Sequence, residues 1–182
     1  MAYITVNETG SFPALILTTD LANSNVGANG NGFIAGNSAT VLDVTCLQDV
    51  TITNSTGIFS WTDFCSASIN KVTTPSDNEI STNVVMEPTG WFGNASSPNV
   101  YGNVRSAQFH GVSGLSENRV EVAFRVQLNN NTDTDGGTVP ANTYVYHGVG
   151  YISSLAPTVS PDSPVWVSPL TIAVNGDMKS EG

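Results

Sequence analysis

Side chains suited to catalysis are scarce in this chain. His110 and His147 are its only histidines, and Cys46 and Cys65 its only cysteines. A serine nucleophile of the hydrolase kind needs a G-x-S-x-G turn and a base within hydrogen-bond reach. The nearest approach, GVSGL at 111–115, sets Gly114 directly after Ser113 and breaks that spacing. There is no H-E-x-x-H and no phosphate-cradling glycine loop. Asn131-Thr-Asp133-Thr-Asp135-Gly136 matches the opening of a calcium loop, yet Asn142 stands where the bidentate glutamate belongs. That segment reads as an acidic turn, and no metal or cofactor is expected. The two cysteines lack a C-x-x-C spacing, so they carry no redox or zinc signature. The opening MAYITVNETGSF has no basic and no apolar signal region, so two free thiols are the simpler reading. No nucleophile–base pair can be assembled, and the chain is not expected to be an enzyme.

Composition narrows the partners. Hydrophobic residues make up 40% of the 182, but charged residues only 11%, about half the usual share. Five basic residues stand against fifteen acids, for a net charge of −10. Five scattered cations do not build a nucleic-acid groove, and an anionic membrane surface would repel the chain. No apolar run reaches membrane-spanning length. An acidic surface can, however, let DNA pass without holding it.

The elements that must carry the function read as strands. In 41–53, Leu42, Val44, Cys46, Val50 and Ile52 share one parity, with Asp43, Thr45, Asp49 and Thr51 on the other. In 119–128, Val120, Val122, Phe124, Val126 and Leu128 alternate with Arg119, Glu121, Ala123, Arg125 and Gln127. Such period-2 patterns predict one face for a core and one for water. Further strands are expected at 2–7, 12–19, 57–62, 65–72, 80–87, 103–112, 143–155 and 165–174, with both histidines in strands. A short helical turn at 60–69 is the only helix signal. With no linker and no internal repeat, residues 1–182 form one antiparallel β-sandwich or barrel with at most one short helix.

Three loops interrupt the strands. Residues 22–38 are rich in Gly and Asn, 88–103 carry Trp91, Phe92 and Tyr101 among turn residues, and 129–142 read as an extended hairpin tip. Loops of this length in a small domain suggest contact surfaces. Trp91, Phe92, Tyr101, Asp133 and Asp135 are the interface candidates. The aromatics suit a subunit interface, and Trp91 alternatively suits a carbohydrate platform.

The sequences NRVEVAFRVQLNN at 118–130 and TYVYHGVGYISSLAPTVSPDSPVWVSPLTIAVNGDM at 143–178 resemble the tail tube proteins of long-tailed, siphovirus-like bacteriophages. In that family an alternating valine strand precedes a glycine-bearing strand, matched here by Gly148, Gly150, Ile152, Ser153, Ser154 and Leu155. A connection and a last strand follow, matched by Thr171, Ile172, Ala173, Val174, Asn175 and Gly176. Residues 70–85 resemble the family's strand-turn-strand more loosely.

The resemblance implies a structural virion protein of the phage tail. Its partners would be copies of itself in stacked hexameric rings, together with other tail proteins. Sheets from neighbouring subunits would close around a channel through which DNA passes without specific binding. Asp43, Asp49 and Glu121, each on the polar parity of a strong strand, are the candidate lumen-facing acids. Open sheet edges, normally a liability, would be used up by closure across subunits. Pro157, Pro161 and Pro164 keep the crossing between the last strands out of the sheet, and Pro169 requires an edge or a bulge. A capsid decoration protein and a carbohydrate-binding β-sandwich are the competing readings.

Overall fold

The computed structural model describes residues 14–22, 24–26, 33–34, 41–44, 47–62, 68–96, 100–101, 104–128, 144–162 and 165–181. The elements are β1 (Ala14–Thr18), β2 (Ser24–Asn25), β3 (Phe33–Ile34), β4 (Val41–Val44), β5 (Leu47–Trp61), β6 (Asn70–Val85), α1 (Pro88–Phe92), β7 (Val100–Tyr101), β8 (Val104–Arg105), α2 (Ala107–Glu117), β9 (Glu121–Gln127), β10 (Val145–Leu155), β11 (Val167–Val174) and β12 (Lys179–Glu181). The fold is mainly β and antiparallel, as the patterning predicts. One sheet runs in the order β4-β1-β9-β10-β11-β6-β5, with β12 also on β10, and β2-β3 and β7-β8 form two small pairs.

The connectivity forces this sheet to curl. β4 and β5 lie at opposite ends of the strand order, and flat strands at their usual spacing would hold them about 29 Å apart. Yet Val44 ends β4 and Leu47 begins β5, and three Cα steps span at most about 11 Å. The sheet therefore closes on itself like a barrel. Accordingly, Asp43 and Val44 of β4 line one small cavity with Val84 and Val85 of β6.

Inside lies a single apolar cluster. Leu15 and Leu17, Leu42 and Val44, Val122, Phe124 and Val126, Ile152, Leu170 and Ile172 all enter it from alternate strand positions. Trp91 of α1 and Val112 and Leu115 of α2 join from the helices. The expected parities hold for these residues. The expected single strand over 41–53 does not: it is two strands on opposite edges, and Leu47 takes the inward position assigned to Cys46. Cys46 and Cys65 lie outside the described residues.

β9 also departs from the expected core-and-water alternation. Its second face is buried too, with Arg125 at 1% and Gln127 at 5% exposure. On that side Ile16 and Val41 form a second small cluster with Val26 against it.

Of the strand expected at 103–112 only β8 at Val104–Arg105 is present; α2, whose backbone breaks at Gly111, follows from Ala107 and places His110 on a helix, so the described residues hold two helices rather than at most one. Ser106 caps α2, its Oγ accepting from Phe109 N–H at 3.3 Å. In α1, Pro88 opens the first turn and the Glu87 carboxylate accepts from Gly90 N–H at 2.6 Å. That hydrogen bond holds the Glu87 pKa below its ordinary value. In place of a helical turn at 60–69, Ser60 and Trp61 belong to β5 and Asn70 opens β6, while 63–67 lie outside the described residues. So do the expected strand at 2–7 and the loop at 129–142.

Pro169 sits in β11 as expected of a local edge. β10 stops pairing at Leu155↔Leu170, so at Pro169 only β6 is paired, through Asn83. The missing N–H costs no ladder bond to β10 there.

Candidate assembly interface

The longest strands outrun their sheet. β11 stops pairing with β6 at Ala173↔Glu79, but β5 and β6 continue to pair with each other from Asn54↔Asn78 to Trp61↔Asn70. The result is a two-stranded arm beyond the barrel, with both outer edges unpaired in the sheet order. Its register shifts between Thr56 and Ile58, and Thr74 and Pro75 fall within that irregularity, where a proline is tolerated. Every side chain from Thr53 to Trp61 is exposed except half-buried Gly57, and so is every one from Lys71 to Asp77.

The arm's exposure is not polar. Ile58, Phe59, Val72 and Trp61 are 62%, 58%, 49% and 43% exposed. Phe59 and Trp61 stack with ring centroids 5.9 Å apart, and Val72 lies opposite Phe59 in the register. Isolated two-stranded ribbons are marginal in water, and an apolar stripe along one marks a contact surface.

The outer face of β10, β11, β6 and β5 forms a second surface. The register aligns Glu121, Tyr151, Ala173, Glu79 and Thr53 in one row. Thr171, Ser81 and Thr51 form the next row, and Pro169, Asn83 and Asp49 the third. Three carboxylates and no Lys or Arg stand in these rows. Each carboxylate is oriented by a neighbour. Asn175 Nδ2 donates to Glu121 at 2.7 Å, and Ser81 Oγ to Glu79 at 3.0 Å. Asn83 clasps Asp49 through its backbone N–H at 2.8 Å and its Nδ2 at 2.7 Å. The Tyr151 hydroxyl is pushed above its ordinary pKa by desolvation, with the Glu121 charge and hydrogen bond adding to the effect.

The predicted acids are thus partly brought together. Asp49 and Glu121 share this face and Glu79 joins them, a residue that sequence reasoning missed although it sits on the polar parity of β6. Asp43 is set apart: half-buried on β4, it pairs in register with Ile16, beyond which lies Arg125.

The helical end carries a third surface. Gly93 (φ 83°) and Gly111 (φ 61°) let the backbones of α1 and α2 touch, and Asn94 N–H donates to Gln108 O at 2.7 Å. A Cβ on Gly111 would lie 2.6 Å from Trp91 O. Beside this contact, Phe92, Ser113, Ser116, Glu117, Ser153, Ser154, Leu155 and Pro157 line a groove of about 560 Å³ with the edge of Trp91. Three of the four serine hydroxyls donate to backbone carbonyls. Ser113 Oγ donates to Trp91 O at 3.0 Å, Ser116 to Ile152 O at 3.4 Å and Ser153 to Thr171 O at 3.3 Å.

Of the expected interface aromatics, Phe92 is 61% exposed at this groove, whereas Trp91 is 4% exposed and belongs to the core. A buried indole offers no platform to a sugar, so the carbohydrate reading loses the residue on which it rested. Tyr101 lies in β7, paired with Val104 of β8. Asp133 and Asp135 lie outside the described residues.

His147 is fully buried, aligned between Arg125 of β9 and Lys179 of β12. Burial lowers its pKa, and the Lys179 and Arg125 cations lower it further against the opposing pull of Glu181. It is thus a structural histidine, neutral near pH 7. No group of three or more potential metal ligands occurs among the described residues, and no helix is long and apolar enough to cross a membrane.

The same fold occurs in a gene transfer agent tail. The chain superposes on one from the tail of an empty gene transfer agent particle, solved with C6 symmetry, at a TM-score of 0.51 and 12% identity. The match covers 85% of this chain and 99% of that one. A chain from the virion of the native particle matches at a TM-score of 0.50 and 12% identity over the same shares. A chain of an extracellular contractile injection system sheath–tube complex gives a TM-score of 0.47 at 11% identity, covering 98% of this chain and 93% of that one. No family model and no curated protein matches the sequence.

Proposed function

We propose that this chain is a tail tube subunit of a phage or phage-like particle, a non-enzymatic protein whose mechanism is assembly. The observation that carries this reading is the β5–β6 arm, which leaves the barrel with open strand edges and an exposed aromatic face. A monomer has no use for such an arm, whereas a ring does. Open edges can pair with those of neighbouring copies, and closure of the ring removes them. The fold shared with a chain of a six-fold symmetric tail supports hexameric rings. Stacked rings would make the tube, joined to other tail proteins at its ends.

In this reading the outer face bearing Asp49, Glu79 and Glu121 lines the bore. Its carboxylates repel phosphates over about 8 Å at physiological salt, so DNA slides past a wall that offers it no cation. Small side chains, Ser81, Thr51, Thr171 and Ala173, lie between them, and Tyr151 is the one large group in the rows. Asp43 contributes less, being half-buried away from the face. The segment 129–142, between the end of β9 and the start of β10, is assigned the axial contacts in this reading.

Negative-stain electron microscopy of the purified protein over a concentration series tests the reading. Rings or hollow tubes with six-fold averages are expected. Discrete trimers at every concentration, with labelled protein found on the particle's shell, would assign it to capsid decoration instead.

A further inference from the structure

We propose that Asn175 is a site of spontaneous covalent modification, deamidating through Gly176, and that the Glu121 carboxylate acts as its brake. The chemistry needs only this chain and water, so it stands apart from the tube reading.

Sequence and place come first. Deamidation requires the backbone nitrogen after an asparagine to reach that residue's side-chain amide, and glycine brings no Cβ to obstruct the approach. Among the described residues, Asn175 is the one asparagine followed by glycine. It lies just past the end of β11 at Val174, in the connection that leads to β12. Asn175 and Gly176 are both exposed. Gly176 has a φ of 87°, and a Cβ placed on it would meet no atom within 4 Å. Its N–H makes no backbone hydrogen bond among the described residues. The attacking nitrogen is therefore open to its target and uncommitted.

The asparagine itself is held at two points. Its backbone N–H donates to Val149 O at 2.7 Å, which anchors the residue to β10. Its Nδ2 donates to Glu121 Oε1 of β9, also at 2.7 Å. The second bond pins the amide on its neighbour. The side chain is free to turn onto Gly176 only when that bond opens.

The step balances without oxidant, metal or enzyme. The Gly176 nitrogen loses its proton and bonds to Cγ of Asn175, and Nδ2 leaves as ammonia. The succinimide ring so formed takes up one water at either carbonyl, giving aspartate or its β-linked isomer. Each event moves the net charge from −10 to −11. A second carboxylate then faces Glu121 where an amide had donated to it, and attraction becomes like-charge repulsion. The β-linked product also adds a backbone carbon to the connection feeding β12, which pairs only through Val145↔Glu181, Tyr146↔Ser180 and His147↔Lys179. The chain cannot restore the amide by itself, so the converted fraction records the protein's age.

Ageing the full-length folded protein in heavy-oxygen water at neutral pH tests this, because the label marks conversions made during ageing. Peptide mapping by mass spectrometry should show the Asn175 peptide converting faster than those bearing Asn54 or Asn94, with aspartate and its isomer as two separate products. Glu121→Ala should speed conversion at Asn175 about threefold to tenfold, the worth of one exposed hydrogen bond to a charged group. Glu121→Gln, which keeps an acceptor, should fall between that variant and wild type. Conversion at Asn175 no faster than at Asn54 and Asn94, in wild type and Glu121→Ala alike, would overturn the site. A rapid Asn175 that Glu121→Ala leaves unchanged would overturn the brake. Equal acceleration at all three asparagines would also overturn it, by showing that the variant unfolds rather than releases one side chain.

Discussion

Gly111 is a position where one methyl group should do marked damage. Its φ of 61° and ψ of −179° lie in a region essentially reserved for glycine. Any other residue costs about 1–3 kcal/mol there before contacts are considered. The contacts are also closed, since an added Cβ would sit 2.6 Å from Trp91 O and 2.8 Å from Phe92 C, both backbone atoms that cannot swing aside. Relief requires α1 and α2 to separate, which loosens buried Trp91, Val112 and Leu115 in the core. Gly111→Ala should therefore cost at least about 3 kcal/mol, the sum of backbone strain and overpacking. For a domain of this size that lowers the melting temperature by about 6–12 °C. Gly114→Ala is the internal control. Gly114 is helical, and its Cβ would meet only the His110 side chain, at 3.2 Å. Up to about 1 kcal/mol of gained helix propensity then offsets a small adjustment, leaving stability near that of wild type. Thermal unfolding of both variants, followed by circular dichroism, decides the matter. A Gly111→Ala variant within 1 °C of wild type would refute the claim that this glycine is required by backbone geometry.

Other outcomes follow from the same surfaces. His147 has a folded pKa below its ordinary 6.5, so below that pH the unfolded chain binds a proton that the folded one resists. Stability should then fall as pH drops from 7.5 to 5.5, and His147→Gln should flatten that slope in urea unfolding. Glu79→Lys with Glu121→Lys takes the net charge from −10 to −6, each reversal adding two. Tubes of this variant should retain DNA in a salt-sensitive way where wild-type tubes do not, and equal elution from both would remove these residues from the bore. Deleting 130–138 should shorten or destabilise tubes in micrographs while leaving rings intact, and unchanged tube length would end the axial role of that loop.

Much of the fold was legible because strands write their inside and outside at every second residue. The alternation of Val122, Phe124 and Val126, or of Leu170 and Ile172, survives in the barrel unchanged. α2 was harder to read. Its backbone leaves the helical path at Gly111, and of its four buried residues, Ala107, Gly111, Val112 and Leu115, two are Ala and Gly, which carry almost no hydrophobic signal. α1 hid behind Pro-Thr-Gly, which reads as a turn, although a proline in the first turn and a preceding carboxylate are also how a helix begins.

The candidate surfaces divide in the same way. Sequence parity alone assigned Asp49 and Glu121 to polar strand faces, because a one-residue slip would have turned both carboxylates toward the core. Parity cannot say which strands are neighbours, so it could not bring Glu79 between them or set Asp43 apart. Nor could it tell Trp91 from Phe92. The two are adjacent in sequence, and only packing of α1 against the barrel turns the first inward and leaves the second in the groove. The arm is the clearest case. Its residues look like two ordinary strands, and their exposure follows from where β11 stops pairing. Local chemistry determined what each residue prefers to touch, and long-range pairing decided which of those preferences were left for another molecule to satisfy.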